Sequence, residues 1–375
     1  MALIRILHVV GKMHFGGMET LIMNLYRRID RDVVQFDFMV HYDEPGEYDD
    51  EIEVLGGNIY HLPKTVPQNF FKYKKALNKF FQEHGEFTAV HGHLQSTSFI
   101  YFKIAKKYGI KCCINHAHTT GHDNDFSGWL GYKTALMSQK YSDVFFGCSN
   151  AACEYFFPDA IKSGHKMIVV KNGIEPEKFT FSDQRRKEAR IELCIKDDWF
   201  VVGHVGRFVE IKNHAFLLEL FAEILKKNPN SLLLLIGKGP LENVIRAKIT
   251  ELGIEDNVRL LGARGDVGDL MQAMDVFILP SLFEGLSVVL VEAQAAALKC
   301  FVFKEANPKE AKVTEFLQFM SESDSLKTWA EAITSNFPYE RYDTSTEIIK
   351  SGFSIDDTAK WLQNFYCGIV SGGNA

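Results

Sequence analysis

Short, continuously apolar runs alternate along this chain with longer amphipathic stretches, and that rhythm restricts the fold more than any other feature. Ile4–Val10 reads as a strand, followed by a Gly-bearing turn and a helix from about Met18 to Ile29. Phe36–His41, Thr88–His93, Lys111–Asn115, Val144–Cys148 and Met167–Val170 repeat the pattern. Strands separated by helices need crossover connections, which produce parallel sheets. The charged segment Phe179–Asp198 interrupts the rhythm. A second series then begins with Phe200–Val205, Leu232–Ile236, Val258–Leu261, Val276–Leu279 and Cys300–Phe303. The expected class is therefore α/β, with two doubly wound halves, residues 1–178 and 179–356. The amphipathic stretch Thr358–Tyr366 is not placed by its pattern. Ligands of open parallel sheets bind beyond the carboxyl ends of the strands, so the turns after strands are the places to look.

Composition narrows the function. The 375 residues carry 42 Lys plus Arg against 48 Asp plus Glu, a net charge of −6 that argues against a general nucleic-acid binder. Seven cysteines, irregularly spaced and without a CxxC, read as buried thiols of a reducing compartment. The start, MALIRILHVVGK, is too short and interrupted for a signal peptide, and no apolar run is long enough to span a bilayer. A cytoplasmic protein is expected, free to lie against the inner face of the membrane.

The turns of the second half suit phosphate. GHVGRFVEIKNH (203–214) places Gly206, Arg207 and Lys212 just after a strand. Arg offers a planar fork and Lys a point charge for phosphate oxygens; two solvated surface cations are the plainer reading. No GKS or GKT follows, which disfavours a nucleotide-hydrolysing P-loop. IGKGP (236–240) puts Gly237 in the next turn, where backbone can approach a ligand or a structural loop closely. The strongest signal is PSLFEGLSVVLVEAQAAAL (280–298). Glu284 and Gly285 should turn the chain, and Ser287 should cap a helix whose free amides face an anion. Glu292, on an otherwise apolar helix, needs a partner or a polar cavity. Both glutamates are candidates to accept hydrogen bonds from sugar hydroxyls.

The first half offers Gly16-Gly17 at the start of a helix, and INHAHTTGHDND (114–125). His116, His118 and His122 suggest a metal, as does the DxD of Asp123 and Asp125, but no third ligand group recurs at metal spacing, so none is expected. His91 and His93 end another strand and either line the cleft or cap the sheet. Between Tyr60 and Cys113 lie nine Lys, no Arg and only Glu83 and Glu86; Phe70, Phe71, Phe80 and Phe81 alternate with Lys72, Lys74, Lys75 and Lys79. Stretch 64–81 suits an anionic membrane surface, or a solvated helix face with Phe in the core.

An Arg and Lys after the first strand of the second half, followed by E-x7-E, resembles retaining glycosyltransferases of family 4 in the GT-B fold. The likeness extends to HFGGMETLIMNL (14–25), VVKNGIEPEKF (169–179), the continuous stretch 260–298, WAEAI, and SGFSIDDTAKWLQNFY (351–366), the last like exopolysaccharide-pathway members. This resemblance implies two Rossmann-like domains facing a cleft. The first would bind a glycan or lipid-linked oligosaccharide acceptor and the second a nucleotide sugar, here a UDP-sugar. It implies anomeric retention, no metal requirement and no cofactor beyond the donor. Arg207 and Lys212 would hold the diphosphate, Glu284 the donor sugar, and Glu292 the ribose. The amides of Gly285, Leu286 and Ser287 would touch sugar and phosphate, and the Arg264 backbone the base. Gly16 and Gly17 would face the acceptor and diphosphate, and His118 the reacting sugar carbon. The last helix, about 357–375, would pack back on the first domain. Ala297-Leu298-Lys299 departs from the commoner Gly-Leu-Pro, and Ser287 from Pro or Gly. Two alternatives use the same scaffold: a nucleotide-sugar epimerase and a non-catalytic partner subunit.

Overall fold

The computed structural model describes residues 3–64, 67–119, 121, 126–335 and 337–371. The chain divides into two compact units, Met1–Gly173 with Ile355–Ala375, and Ile174–Ser354.

In the first unit seven parallel strands form one sheet: β1 (Ile4–Val9), β2 (Val34–Val40), β3 (Ile59–His61), β4 (Phe87–Gly92), β5 (Cys112–Ala117), β6 (Val144–Gly147) and β7 (Met167–Val169). Their order is β3-β2-β1-β4-β5-β6-β7. The strand order reverses between β1 and β4, which is where a crevice opens in this kind of sheet. Residues on both faces are apolar because helices cover both. On one face Ile6, Phe36, Phe38, Ala89 and Ile114 pack with Tyr26; on the other Leu7, Met39, Val90 and Cys113 pack with Tyr73, Leu77 and Phe102. The closing helix Ile355–Ser371 belongs to this unit. Its Ile355, Ala359, Leu362 and Tyr366, spaced one turn apart, are buried in the first core, and Asp356 pairs with Arg28 at 2.5 Å.

The second unit repeats the plan with β8 (Phe200–Val205), β9 (Ser231–Ile236), β10 (Val258–Gly262), β11 (Val276–Leu279), β12 (Lys299–Phe303) and β13 (Leu317–Met320), in the order β10-β9-β8-β11-β12-β13. Here the reversal lies between β8 and β11. β3 and β13, both short edge strands, are additions to the sequence expectation.

The boundary also differs from the expected 178/179. Ile174 and Phe179 are buried in the second core, and the Lys178 carbonyl lies against Gly268 so closely that a Cβ there would meet it at 2.5 Å. Residues 174–178 therefore belong to the second unit. The chain returns at Ile355 rather than 357.

Candidate functional site

Strand β8 ends at Val205 and runs into Gly206, Arg207 and a 3-10 turn, Glu210–Lys212. Asn213 takes the left-handed conformation (φ 52°), and its side chain accepts from the Phe216 amide to start the helix His214–Lys227. The sharp turn carries Lys212 back over the sheet end. β11 ends at Leu279, and its following loop holds Glu284 before the helix Val288–Ala295. The loop is pinned at two points: the Leu282 amide donates to Ile211 O at 2.8 Å and the Glu284 amide to Ala306 O at 2.9 Å. The result joins the two loops at the reversal point. Lys212 Nζ donates to Glu284 Oε1 at 2.5 Å, with both side chains largely buried.

Arg207 is exposed and makes no ion pair among the described residues. Its guanidinium is thus free for an anion. The expected cap at Ser287 is absent: Ser287 holds the N-cap position but its side chain makes no capping bond. The amide end of the helix therefore keeps its free donors and its partial positive charge. Glu292 lies on this helix, half-buried, and its carboxyl has no hydrogen bond or ion pair among the described residues. Burial pushes its carboxyl up to about 7. An uncompensated carboxyl beside an open helix end is characteristic of a binding site.

Gly237 and the side chain of Arg264 are engaged within the protein. Gly237 (φ 147°) approaches protein rather than open space; a Cβ there would meet Gly206 O at 2.0 Å. Arg264 is taken by carboxylates: its Nε donates to Asp266 Oδ1 at 2.7 Å and its Nη2 to Glu192 Oε1 at 3.4 Å. Gly206 borders the turn, 3.5 Å from Lys212 Cδ by its missing Cβ. Gly285 and Leu286 lie between Glu284 and the helix.

Beneath this loop sit two histidines that the sequence reading passed over. His204 donates from Nδ1 to Ile278 O at 2.9 Å, and its ring lies 4.9 Å from that of His214. Burial lowers them to about 3 and about 4. Both are therefore neutral and add no charge to the loop.

In the first unit Gly16 precedes the helix Gly17–Arg28. Its amide end is not bare. The buried Glu19 carboxylate lies over Gly16, where a Cβ would meet Oε2 at 2.4 Å; Gly17 faces open space. His118 follows β5 and is half-buried, with Nε2 2.7 Å from His93 Nδ1. Burial pushes it down to about 3. His116 and His118 have further histidines beside them in space that spacing along the chain did not reveal. Sheet pairing brings His8 of β1, His91 and His93 at the end of β4, and both of these residues into one cluster. The two His-x-His motifs at neighbouring strand ends were the available signal. His122, Asp123 and Asp125 lie outside the described residues.

Two Rossmann-type units, one with a basic turn joined to a glutamate loop at its reversal point, are the architecture of the GT-B fold. Residues 15–178 match Glycosyltransferase Family 4 and residues 185–344 match Glycosyl transferases group 1. EpsF of Bacillus subtilis (strain 168), named as a glycosyltransferase, is 33% identical over 88% of this chain and 86% of its own length. The chain belongs to glycosyltransferase family 4. CapH of Staphylococcus aureus, a capsular polysaccharide biosynthesis glycosyltransferase, is 23% identical over 97% of this chain and 99% of its own. Among solved structures, Anabaena HepE in complex with UDP and glucose superposes with a TM-score of 0.72 at 19% identity, covering 98% of this chain and 96% of HepE. Sucrose-phosphate synthase of Thermosynechococcus elongatus gives 0.79 at 15% identity, covering 99% and 100%. EpsF and CapH are both named as glycosyltransferases and lend nothing to the epimerase or non-catalytic readings.

Glu292 generates a pH prediction. Its folded value, about 7, exceeds the ordinary 4.5, so the folded state holds its proton more tightly. Its contribution to stability is full below pH 4.5 and is lost as pH rises through about 7. Glu292→Gln removes that loss. Relative to wild type the variant should gain stability between pH 5 and 8, by about 3 kcal/mol at most. Urea denaturation at both pH values measures it; a constant difference would show that the carboxyl is not perturbed.

Proposed function

We propose that this enzyme moves a sugar from a UDP-sugar to a polysaccharide or lipid-linked oligosaccharide acceptor in exopolysaccharide or capsule assembly, with retention and without a metal at the diphosphate. The Lys212–Glu284 pair carries the reading. It stands at the point of the second sheet where ligands bind, and an arriving diphosphate can take over the ammonium while the freed carboxylate turns to a sugar hydroxyl. Relatives support the substrate class. An Escherichia coli protein, 26% identical over 66% of each chain, is named UDP-Gal:alpha-D-GlcNAc-diphosphoundecaprenol alpha-1,3-galactosyltransferase.

In this reading Arg207 and Lys212 stabilise the charge that develops on the departing diphosphate, the work a metal does in other transferases. The C–O bond from sugar to phosphate breaks as the acceptor hydroxyl attacks the same face, its proton passing to a leaving phosphate oxygen. Gly285, Leu286 and Ser287 offer amides to the donor, Glu292 accepts from the ribose, and the Arg264 backbone meets the base, its side chain being held away. Gly16, Gly17 and His118 face the acceptor side, Glu19 having to yield its position over Gly16.

No helix among the described residues is long and apolar enough to cross a membrane. The helix Phe70–Glu83 supports peripheral contact from the cytoplasmic side. Phe80 and Phe81 are core residues, but Phe71 is 82% exposed, beside Lys72, Lys74 and Lys75.

Arg207→Ala and Lys212→Ala should each lower turnover by about 100-fold or more, the exposed Arg207 with little effect on unfolding; wild-type turnover in a radiolabelled-sugar assay would refute the phosphate assignment. Calorimetric titration with UDP should give the same affinity with and without EDTA. In that titration Glu292→Gln should weaken UDP while Glu284→Gln spares it; equal losses would end the division of labour. Phe71→Asp should reduce co-sedimentation with phosphatidylglycerol vesicles several-fold, whereas unchanged sedimentation would restrict this helix to a solvated face.

A further inference from the structure

We propose that His93, His116 and His118 form a binding site for one divalent transition-metal ion, of which zinc is the representative.

The strands build the triad. β4 and β5 run parallel with Gly92 beside Asn115, which sets His93 level with His116. Side chains two residues apart share a face, so His118 follows on the same side. One ring nitrogen from each of the three lies within 4.8 Å of the others. Zinc bonds imidazole nitrogen at about 2.0–2.1 Å in tetrahedral sites, so His93 Nδ1 and His118 Nε2, 2.7 Å apart, must separate for an ion to enter between them. An all-imidazole set suits zinc, copper or nickel; magnesium and calcium need oxygen.

The outer contacts are compatible with the tautomers that coordination requires. A neutral imidazole that gives one nitrogen to a metal carries its proton on the other. His93 Nε2 faces His8 Nδ1 at 3.0 Å, and His116 Nδ1 faces His91 Nε2 at 3.1 Å. His91 Nδ1 in turn reaches the Tyr366 hydroxyl oxygen at 2.7 Å. With His93, His116 and His91 donating outward, each of these contacts is satisfied. His8, His91 and Tyr366 would then hold the ligands in orientation, as outer partners do in metal sites.

On the inner side His93 Nδ1 and His118 Nε2 share one hydrogen bond at 2.7 Å, whose proton an arriving ion would displace. His116 Nε2 is buried and has no partner among the described residues. Leaving a buried nitrogen unsatisfied costs about 1–3 kcal/mol, and an electron-pair acceptor removes that cost. A second triad, His8, His91 and His93, shares one residue with the first but is buried throughout. His118 is half-exposed, giving the first triad a route for the ion. The site lies wholly in the first unit and adds nothing to the diphosphate-binding cations of the second.

Titration of the full chain, stripped with EDTA and transferred to chelator-free buffer, tests this. Co2+ should bind at one per chain with the intense visible absorption of tetrahedral coordination, and one equivalent of Zn2+ should bleach it. His116→Asn and His118→Asn should each weaken binding by about 100-fold. Tyr366→Phe, which loosens only an outer bond, should weaken it by about tenfold. Circular dichroism checks folding; should His116→Asn unfold, the half-exposed His118 carries the test. Weak octahedral absorption, or variants that bind Co2+ like the parent, would overturn the proposal.

Discussion

Parallel strands β8 and β11 are paired only at Val276 with Val202 and Phe277 with Gly203. The close approach needs Gly203, where a Cβ would meet the Met274 sulfur at 2.0 Å. Beyond it the two strands part, and the ladder is replaced by a single side chain, His204, donating across the gap to Ile278 O. That parting creates the crevice. Lys212 enters it from one loop and Glu284 from the other, and a neutral imidazole below leaves their charges for each other or for a ligand. A longer β8–β11 ladder would close the place where the pair meets.

The corresponding parting is absent in the first unit. β1 follows β4 to the end, through Val9 with Gly92, and the face at that end is filled with imidazole rings instead. His91 stacks against His93 and His116, with centroids 4.4 and 5.2 Å apart. The same strand order thus brings a cation and a carboxylate together at the reversal point of one unit and a cluster of imidazoles at that of the other. The difference traces to what lies at the strand ends: glycine and a cation after β8, histidine after β4 and β5.

Central strands were legible because they are buried on both faces and so read as unbroken apolar runs. β3 and β13 were not, since LQFM and IYH are brief and half-exposed at sheet edges. The loops carrying Arg207, Lys212, Glu284 and Glu292 were legible from residue type and position after a strand. The Lys212–Glu284 bond was not, because 72 residues separate them and only strand order makes them neighbours. The histidine cluster has the same origin: three strands contribute, and sequence gives each motif without its neighbour. The engagement of the Arg264 side chain with Asp266, two residues on, was likewise not legible; it concerns the guanidinium and not the backbone to which the resemblance assigns the base.

The helix that carries Glu292 shows how the donor side is kept ready. Its carboxyl end is tied down completely: the Leu298 amide donates to Ala293 O and the Ala297 amide to Gln294 O. This places Ala297 at φ 51°, a conformation costing a non-glycine residue roughly 1–2 kcal/mol. Arg341 donates to Ala296 O at 3.1 Å and Thr344 to Gln294 O at 3.0 Å, so remaining carbonyls are met by side chains that hold the strained turn in place. Nothing comparable guards the amide end, where Ser287 provides no cap. An eight-residue helix fixed at one end and unsatisfied at the other has its dipole aimed by the fixed end. The strain at Ala297 and the open amides before Leu290 are thus two consequences of one arrangement, which holds Glu292 in place while leaving the donors beside it for a ligand.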